Sequence, residues 1–287
     1  MEPSLDTPPW LPETALVEVV TSVLGAGFVP ISVVVRAERP QRRAVLEVVV
    51  EGPRGRELVG VKFRRRRAAA IYRDWCVLAA AGTGFRVPEP LGLVERHGCI
   101  VYRWVQAPGL LERLRDNGVR WASAAGEALA QLHGARVDLT RTFSARDALD
   151  YLARRIDEAA ELGHPRAEAL RERLAELEPR VSADEQPQTS GHRDFYPRQV
   201  LATEPLTLLD LDEAARCELA LDAGNFAAHL VVDGVPGLVE PFLTAALGDD
   251  AALRRRERFY RSATFVRLSA VYWIRNTRER ALSVPLE

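Results

Sequence analysis

Gly191-His192-Arg193-Asp194-Phe195-Tyr196-Pro197-Arg198-Gln199-Val200-Leu201, followed shortly by Leu208-Leu209-Asp210-Leu211-Asp212, is the most informative part of the chain. A loop presents a carboxylate, Asp194, and an amide, Gln199, follows five residues later. Two short apolar runs, residues 199–202 and 206–212, read as a small hairpin. A second carboxylate, Asp210, then leaves the end of an apolar strand. Phosphoryl transfer needs such parts: an acceptor for the proton of a hydroxyl, and hard oxygen ligands for Mg2+.

The pattern His-Arg-Asp-x-x-x-x-Gln with Leu-Leu-Asp-Leu-Asp resembles the catalytic loop and metal-binding aspartate of aminoglycoside phosphotransferases and related small-molecule kinases. That superfamily shares the protein-kinase fold. The resemblance implies Asp194 as catalytic base, Gln199 and Asp210 as Mg2+ ligands, and Asp212 as a further ligand or a support behind it. The run Glu218-Leu-Ala-Leu-Asp222-Ala-Gly-Asn-Phe resembles the family's G-D-P-A-x-D-L-A segment, whose last aspartate opens a helix and braces the catalytic loop. Asp222 takes that role, and His192 reads as a second brace of the loop.

Working outward, Val-Gly-Val-Lys62-Phe resembles the family's V-A-I-K strand, whose lysine holds the α- and β-phosphates of the nucleotide. A compact, strongly hydrated ammonium suits that task, and arginine's planar fork is no equivalent. Of the 39 basic residues, Lys62 alone is lysine. In Tyr72-Arg73-Asp74-Trp75-Cys76-Val77-Leu78, Asp74 falls where the family has an acid that orients the lysine. Residues 87–92 resemble the linker before the hinge strand, and Ile100 to Gly109 the hinge itself. Adenine would then meet main-chain groups near Arg103 and Val105. The chain departs from the family at three points. No G-x-G-x-x-G covers the first hairpin, Gln199 replaces the usual asparagine, and Arg193 replaces a glycine.

The surrounding sequence divides in two. Residues 12–25 have helical spacing and stop at Gly25. ISVVVRA (31–37), RRAVLEVVV (42–50) and LVGVKF (58–63) are rich in β-branched residues and read as an antiparallel meander. A helix follows from about residue 67 to 81. Beyond Ala107-Pro108-Gly109 the pattern turns helical over 120–134, 145–162 and 165–180. Residues 181–191 read as a polar loop, and the chain after the catalytic hairpin as helical to near its end. The expected fold is α+β: a bilobal, protein-kinase-like arrangement with a β-rich N-lobe over 1–105 and a mostly helical C-lobe over 106–287.

Composition narrows the function. The net charge of −1 argues for neither nucleic acid nor membrane as partner. Three scattered cysteines form no metal-ligand spacing, and the N-terminus has no signal core, so a reducing, cytoplasmic location is expected. No serine sits in a G-x-S-x-G setting. Asp210-Leu211-Asp212 lacks the glycine of D-F-G and no A-P-E follows, which disfavours a protein kinase. The expectation is an ATP- and Mg2+-dependent kinase acting on a hydroxyl of a small molecule, such as an aminoglycoside or sugar. For an aminoglycoside, Asp147, Asp150, Asp157 and Glu158 would offer acids on the 145–162 helix. The altered first hairpin, Asp74 and Gln199 suggest the alternative, a catalytically impaired, nucleotide-binding pseudokinase or scaffold.

Overall fold

The structure, a computed structural model, describes residues 5, 7, 8, 10–53, 55–82 and 84–286. The chain divides into two compact units. The first runs up to Ala81 and includes Val87–Gln106; the second comprises Gly82–Arg86 and the chain from Ala107 onward.

The first unit is built on an antiparallel sheet. Its strands are β1 (Val29–Arg39), β2 (Arg43–Gly52), β3 (Gly55–Arg64), β4 (Pro90–Val94) and β5 (Cys99–Arg103), in the order β1-β2-β3-β5-β4. The two-residue period of a strand is plain in β2, where Ala44, Leu46, Val48 and Val50 are buried and the residues between them are less so. That face packs against Leu16, Val19 and Val20 of α1 (Glu13–Leu24) in one apolar cluster with Val59, Val61 and Val101. Alternation sends Lys62 to the opposite face, paired across the sheet with Val45 and Ile100. Gly60 lies on that face opposite Tyr102, and a Cβ there would fall 2.1 Å from the Tyr102 ring. The ring therefore occupies the space a side chain would need.

The second unit is mostly helical. It contains α3 (Leu110–Asp116), α4 (Gly118–Gly134), α5 (Ala145–Glu161), α6 (Ala167–Leu177), α7 (Leu219–Val232), α8 (Val239–Leu247), α9 (Ala251–Ile274) and α10 (Arg278–Ser283). Two short antiparallel ladders interrupt the helices: β6 (Gln188–Gly191) with β9 (Ala215–Glu218), and β7 (Val200–Leu201) with β8 (Thr207–Leu208). The β6/β9 ladder corrects the sequence reading, which took residues 181–191 as loop and the chain after 212 as helix. The second ladder is the expected hairpin in a shorter form, with Asp210 beyond the strand rather than at its end.

A buried ion pair ties this unit together. Arg256 of α9 donates from Nε and Nη2 to Glu218 at 2.6 and 2.7 Å, and from Nη1 to the carbonyls of Val181 and Ala183 at 2.8 and 2.9 Å. Tyr260 Oη adds a third donor to Glu218 at 3.0 Å. Both charges are fully desolvated, so only this dense set of hydrogen bonds makes their burial tolerable. Among the described residues no helix is long and apolar enough to cross a membrane.

Candidate active site

The loop from Gly191 to Gln199 is fixed from behind by buried polar groups. Asp222, in the first turn of α7, uses Oδ2 to accept from His192 N at 2.8 Å and from His133 Nε2 at 3.0 Å. His133, near the C-terminus of α4, is held in turn by Thr189 Oγ1 at 2.7 Å from Nδ1. The Cys217 thiol, pushed well above its ordinary pKa by burial and by the Asp222 charge, stays protonated and faces the same oxygen at 3.9 Å. Gly191 is required here, since a Cβ would meet Cys217 Sγ at 2.3 Å and Asp222 Oδ2 at 2.8 Å.

The loop is also pinned along its length. His192 Nε2 donates to the Leu209 carbonyl at 2.7 Å, which leaves Nδ1 to accept the Asp194 N–H at 3.4 Å; the tautomer follows from these partners. Asn225 Nδ2 donates to the Phe195 carbonyl at 2.8 Å. Arg193 and Asp210 adopt left-handed backbone, with φ of 68° and 55°. Such conformations are uncommon for side chains with a Cβ and persist where surrounding contacts fix them. For Arg193 the fixing contacts are Glu213 at 3.0 Å and the Phe143 ring beneath the guanidinium at 3.8 Å. These support Arg193 in a structural part.

Asp194, Gln199 and Asp210 come together in this unit. Gln199 Nε2 approaches Asp210 Oδ2 at 3.2 Å and Tyr196 Oη at 3.4 Å, and the Gln199 carbonyl accepts the Leu209 N–H at 2.8 Å. An amide flip would turn the Gln199 oxygen toward the same point, so one amide oxygen and the Asp210 carboxylate make a hard-oxygen donor set of the kind Mg2+ takes. Asp212 follows in the next turn and is buried at 4% exposure. The Asp194 carboxyl is raised from its ordinary range chiefly by burial, with Arg267 acting against the rise and Asp210 and Asp222 adding to it. About 35% of its side chain remains accessible, so it lies in a crowded recess with an open side.

Arg267, from α9, is, like His133, a residue that the sequence reading missed. Its Nη1 lies 3.8 Å from Asp194 Oδ1, and its Nη2 donates to Asn225 Oδ1 at 2.5 Å. An arginine in an arginine-rich amphipathic helix gives no local signal, and only the packing of α9 on α7 discloses it.

The remaining expected residues lie in the first unit. Lys62 is buried at 5% exposure, with its ammonium 6.0 Å from the Trp75 ring centre. Asp74 precedes that tryptophan on α2 (Ala68–Ala81) and is buried at 3%. Trp75 is itself fixed by donating to the Pro88 carbonyl at 2.7 Å. Arg103 ends β5; its amide donates to the Glu89 carbonyl at 2.8 Å, and its guanidinium pairs with Glu89 and Glu57. Val105 lies just beyond the sheet.

Three of the four acids proposed for a cationic acceptor have other partners. Asp147 closes a capping box with Ser144, Asp157 pairs with Arg171, and Glu158 with Arg155.

Known structures share this architecture. A choline kinase, LicA, from Streptococcus pneumoniae superposes with a TM-score of 0.67 at 14% identity, over 94% of this chain and 97% of that one. A GDP and kanamycin complex of APH(2")-IIia gives 0.67 at 15%, over 92% and 96%. The macrolide 2'-phosphotransferase MphH from Brachybacterium faecium gives 0.62 at 19%, over 98% and 100%. At these identities the likeness establishes the fold, a protein-kinase-like α+β fold with a β-rich N-terminal part and a helical C-terminal part. No curated protein matches the chain in sequence. The sequence model of the phosphotransferase enzyme family, however, matches residues 43–260, from β2 through the Gly191–Gln199 loop to α9. With three-quarters of its length matched, the chain belongs to the phosphotransferase enzyme family.

Proposed function

We propose that the protein is a Mg2+-dependent kinase that moves the γ-phosphoryl group of ATP to a hydroxyl of a small molecule. The observation that carries this reading is the assembly of Asp194, Gln199 and Asp210 on one rigidly braced loop cluster in a member of this enzyme family. Asp194 takes the hydroxyl proton as the acceptor oxygen forms its bond to the γ-phosphorus. The bond from that phosphorus to the β–γ bridging oxygen breaks, and ADP leaves with its electrons. A raised carboxyl pKa favours this role, because a stronger base accepts the proton more readily.

Gln199 and Asp210 would hold Mg2+, with Asp212 as a further ligand or as support. The bound ion would neutralise charge on the β- and γ-phosphate oxygens. Lys62 would hold the α- and β-phosphates, with Asp74 orienting it. The Arg103 amide is already engaged with Glu89, so a main-chain donor to adenine falls to Val105. His192 and Asp222 serve as supports.

The test is steady-state release of ADP with ATP and Mg2+ over a panel of hydroxyl acceptors. Asp194→Ala should lower kcat by about 10²–10⁴-fold, the usual worth of a general base, while the KM for ATP changes little. Turnover that survives in this variant would remove Asp194 from the chemistry.

A further inference from the structure

The recess beside Asp194 is walled by arginine. Arg267 stands 3.8 Å from the Asp194 carboxylate. Two residues along the loop, Tyr196 stacks on His229 of α7 with ring centres 4.4 Å apart. One turn beyond His229, the buried carboxylate of Asp233 accepts from Arg280 at 2.6 Å and from Arg198 at 3.3 Å. Arg280 also lies 4.5 Å over the ring of Tyr272. Arg275, at the C-terminal end of α9, acts on the Tyr196 hydroxyl together with Asp194 and Asp210. The loop, α9, its end and α10 thus each contribute a guanidinium around the stacked Tyr196 and His229 rings, beside the Asp194 loop.

The opposing charge is unevenly placed. Arg267 and Arg275 face the acids Asp194 and Asp210, whereas Arg198 and Arg280 share the single carboxylate of Asp233, which balances one of the two. His229 contributes no charge: burial, reinforced by Arg267, Arg280 and Arg198, holds its pKa well below the ordinary value. Its Nδ1 is buried without a hydrogen-bond partner among the described residues, a polar atom that a ligand could satisfy. Arg198 and Arg280 remain 50% and 37% exposed, so their charges face solvent as well as Asp233. A concentration of one sign of charge in a recess raises the local concentration of the opposite sign. A cationic acceptor would be repelled from it.

We propose that this recess binds the acceptor through a carboxylate or phosphate group, so that the substrate is a small hydroxylated anion rather than an aminosugar or a choline-like cation. The inference deepens the kinase reading and rests on it. Arg198 and Arg280 grip the anionic group, and Arg267 lies closest to the hydroxyl that Asp194 deprotonates. Arginine suits the task because its planar fork matches carboxylate and phosphate oxygens two at a time.

Matched acceptors test this with ATP and Mg2+ at saturation: glycerol, D-glycerate, glycerol 3-phosphate, ethanolamine and kanamycin. One or both anions should exceed glycerol in kcat/KM by about tenfold or more, the worth of one charge-assisted contact. The preferred anion identifies the group as carboxylate or phosphate. Arg198→Gln and Arg280→Gln should each raise its KM by about tenfold and move kcat less. Arg171→Gln, on α6 and paired with Asp157, should leave both constants unchanged. Calorimetric titration of the two anions into enzyme saturated with Mg2+ and a non-hydrolysable ATP analogue separates the two readings. Analogue binding without saturable anion binding overturns this inference alone, whereas no analogue binding overturns the kinase reading itself. Preference for ethanolamine or kanamycin, or arginine variants with an unchanged anion KM, also overturns it.

Discussion

Asp222 has no exposed surface, yet a single one of its oxygens serves two donors from separate elements. Removing it strands the His192 N–H and the His133 Nε2–H in a dry interior, and each orphaned donor costs about 1–3 kcal/mol. Asp222→Ala should therefore lower the stability of the helical unit by about 2–5 kcal/mol. Asp222→Asn keeps an acceptor of the same shape and should recover most of that loss in urea denaturation. Equal losses in the two variants would show that the charge, not the hydrogen bonds, holds the loop. At this scale the sequence is legible where a motif is local. Asp194, Gln199, Asp210 and Asp222 could be named because their spacing along the chain reflects one loop, one hairpin and one helix start. His133 and Arg267 could not. Each reaches the loop from a remote helix, and each sits in a pattern that amphipathic spacing alone explains.

Among the elements, legibility follows how strongly burial imprints a period. The alternation in β2 faces a packed layer on one side, so its strand is visible residue by residue. Gln188-Thr189-Ser190-Gly191 has no apolar residue, yet Ser190 is wholly buried, its hydroxyl donating to the Leu132 carbonyl at 2.8 Å. A strand stabilised by polar contacts on both sides leaves no hydrophobic period to read. The crossing of α7 and α9 depends on an equally silent position. A Cβ at Gly224 would meet Arg261 N at 2.7 Å and the Glu257 carbonyl at 2.9 Å, both backbone atoms that cannot swing aside. Glycine-to-alanine in a helix ordinarily gains about 1 kcal/mol. Here the helices must separate, and overpacking costs about 1–3 kcal/mol or more. Gly224→Ala should accordingly lower the unfolding midpoint of this unit. It should also disturb Asp222 and Asn225, which α7 aims at His192 N and the Phe195 carbonyl. A variant as stable as the parent would mean that the two helices part without penalty.

Over the whole molecule the charges nearly cancel, at −1 for 40 acids and 39 bases, and stability depends on where the few buried charges lie. Arg256 and Glu218 are fully matched. Glu257, next along α9, is not: it is 1% exposed, and Arg261 Nε approaches it at 3.4 Å without a hydrogen bond. Burial raises its pKa to about 6, with Arg261, Arg258 and Arg254 acting against the rise. The folded state therefore holds this proton more tightly than the unfolded chain, whose value lies near 4.5. Below the unfolded value both states are protonated and Glu257 carries no penalty. As the pH climbs from there through the folded value, the unfolded chain ionises first, and the folded state loses ground until both are charged. Above about 6 the loss is complete, at about 2 kcal/mol for a shift of this size. Glu257→Gln stays neutral at every pH and should escape it. Thermal unfolding of parent and variant from pH 5 to 7.5 should show the variant's advantage growing by several degrees with pH. A difference that does not change with pH would mean that Glu257 is ionised in the fold throughout, with Arg261 matching it in full.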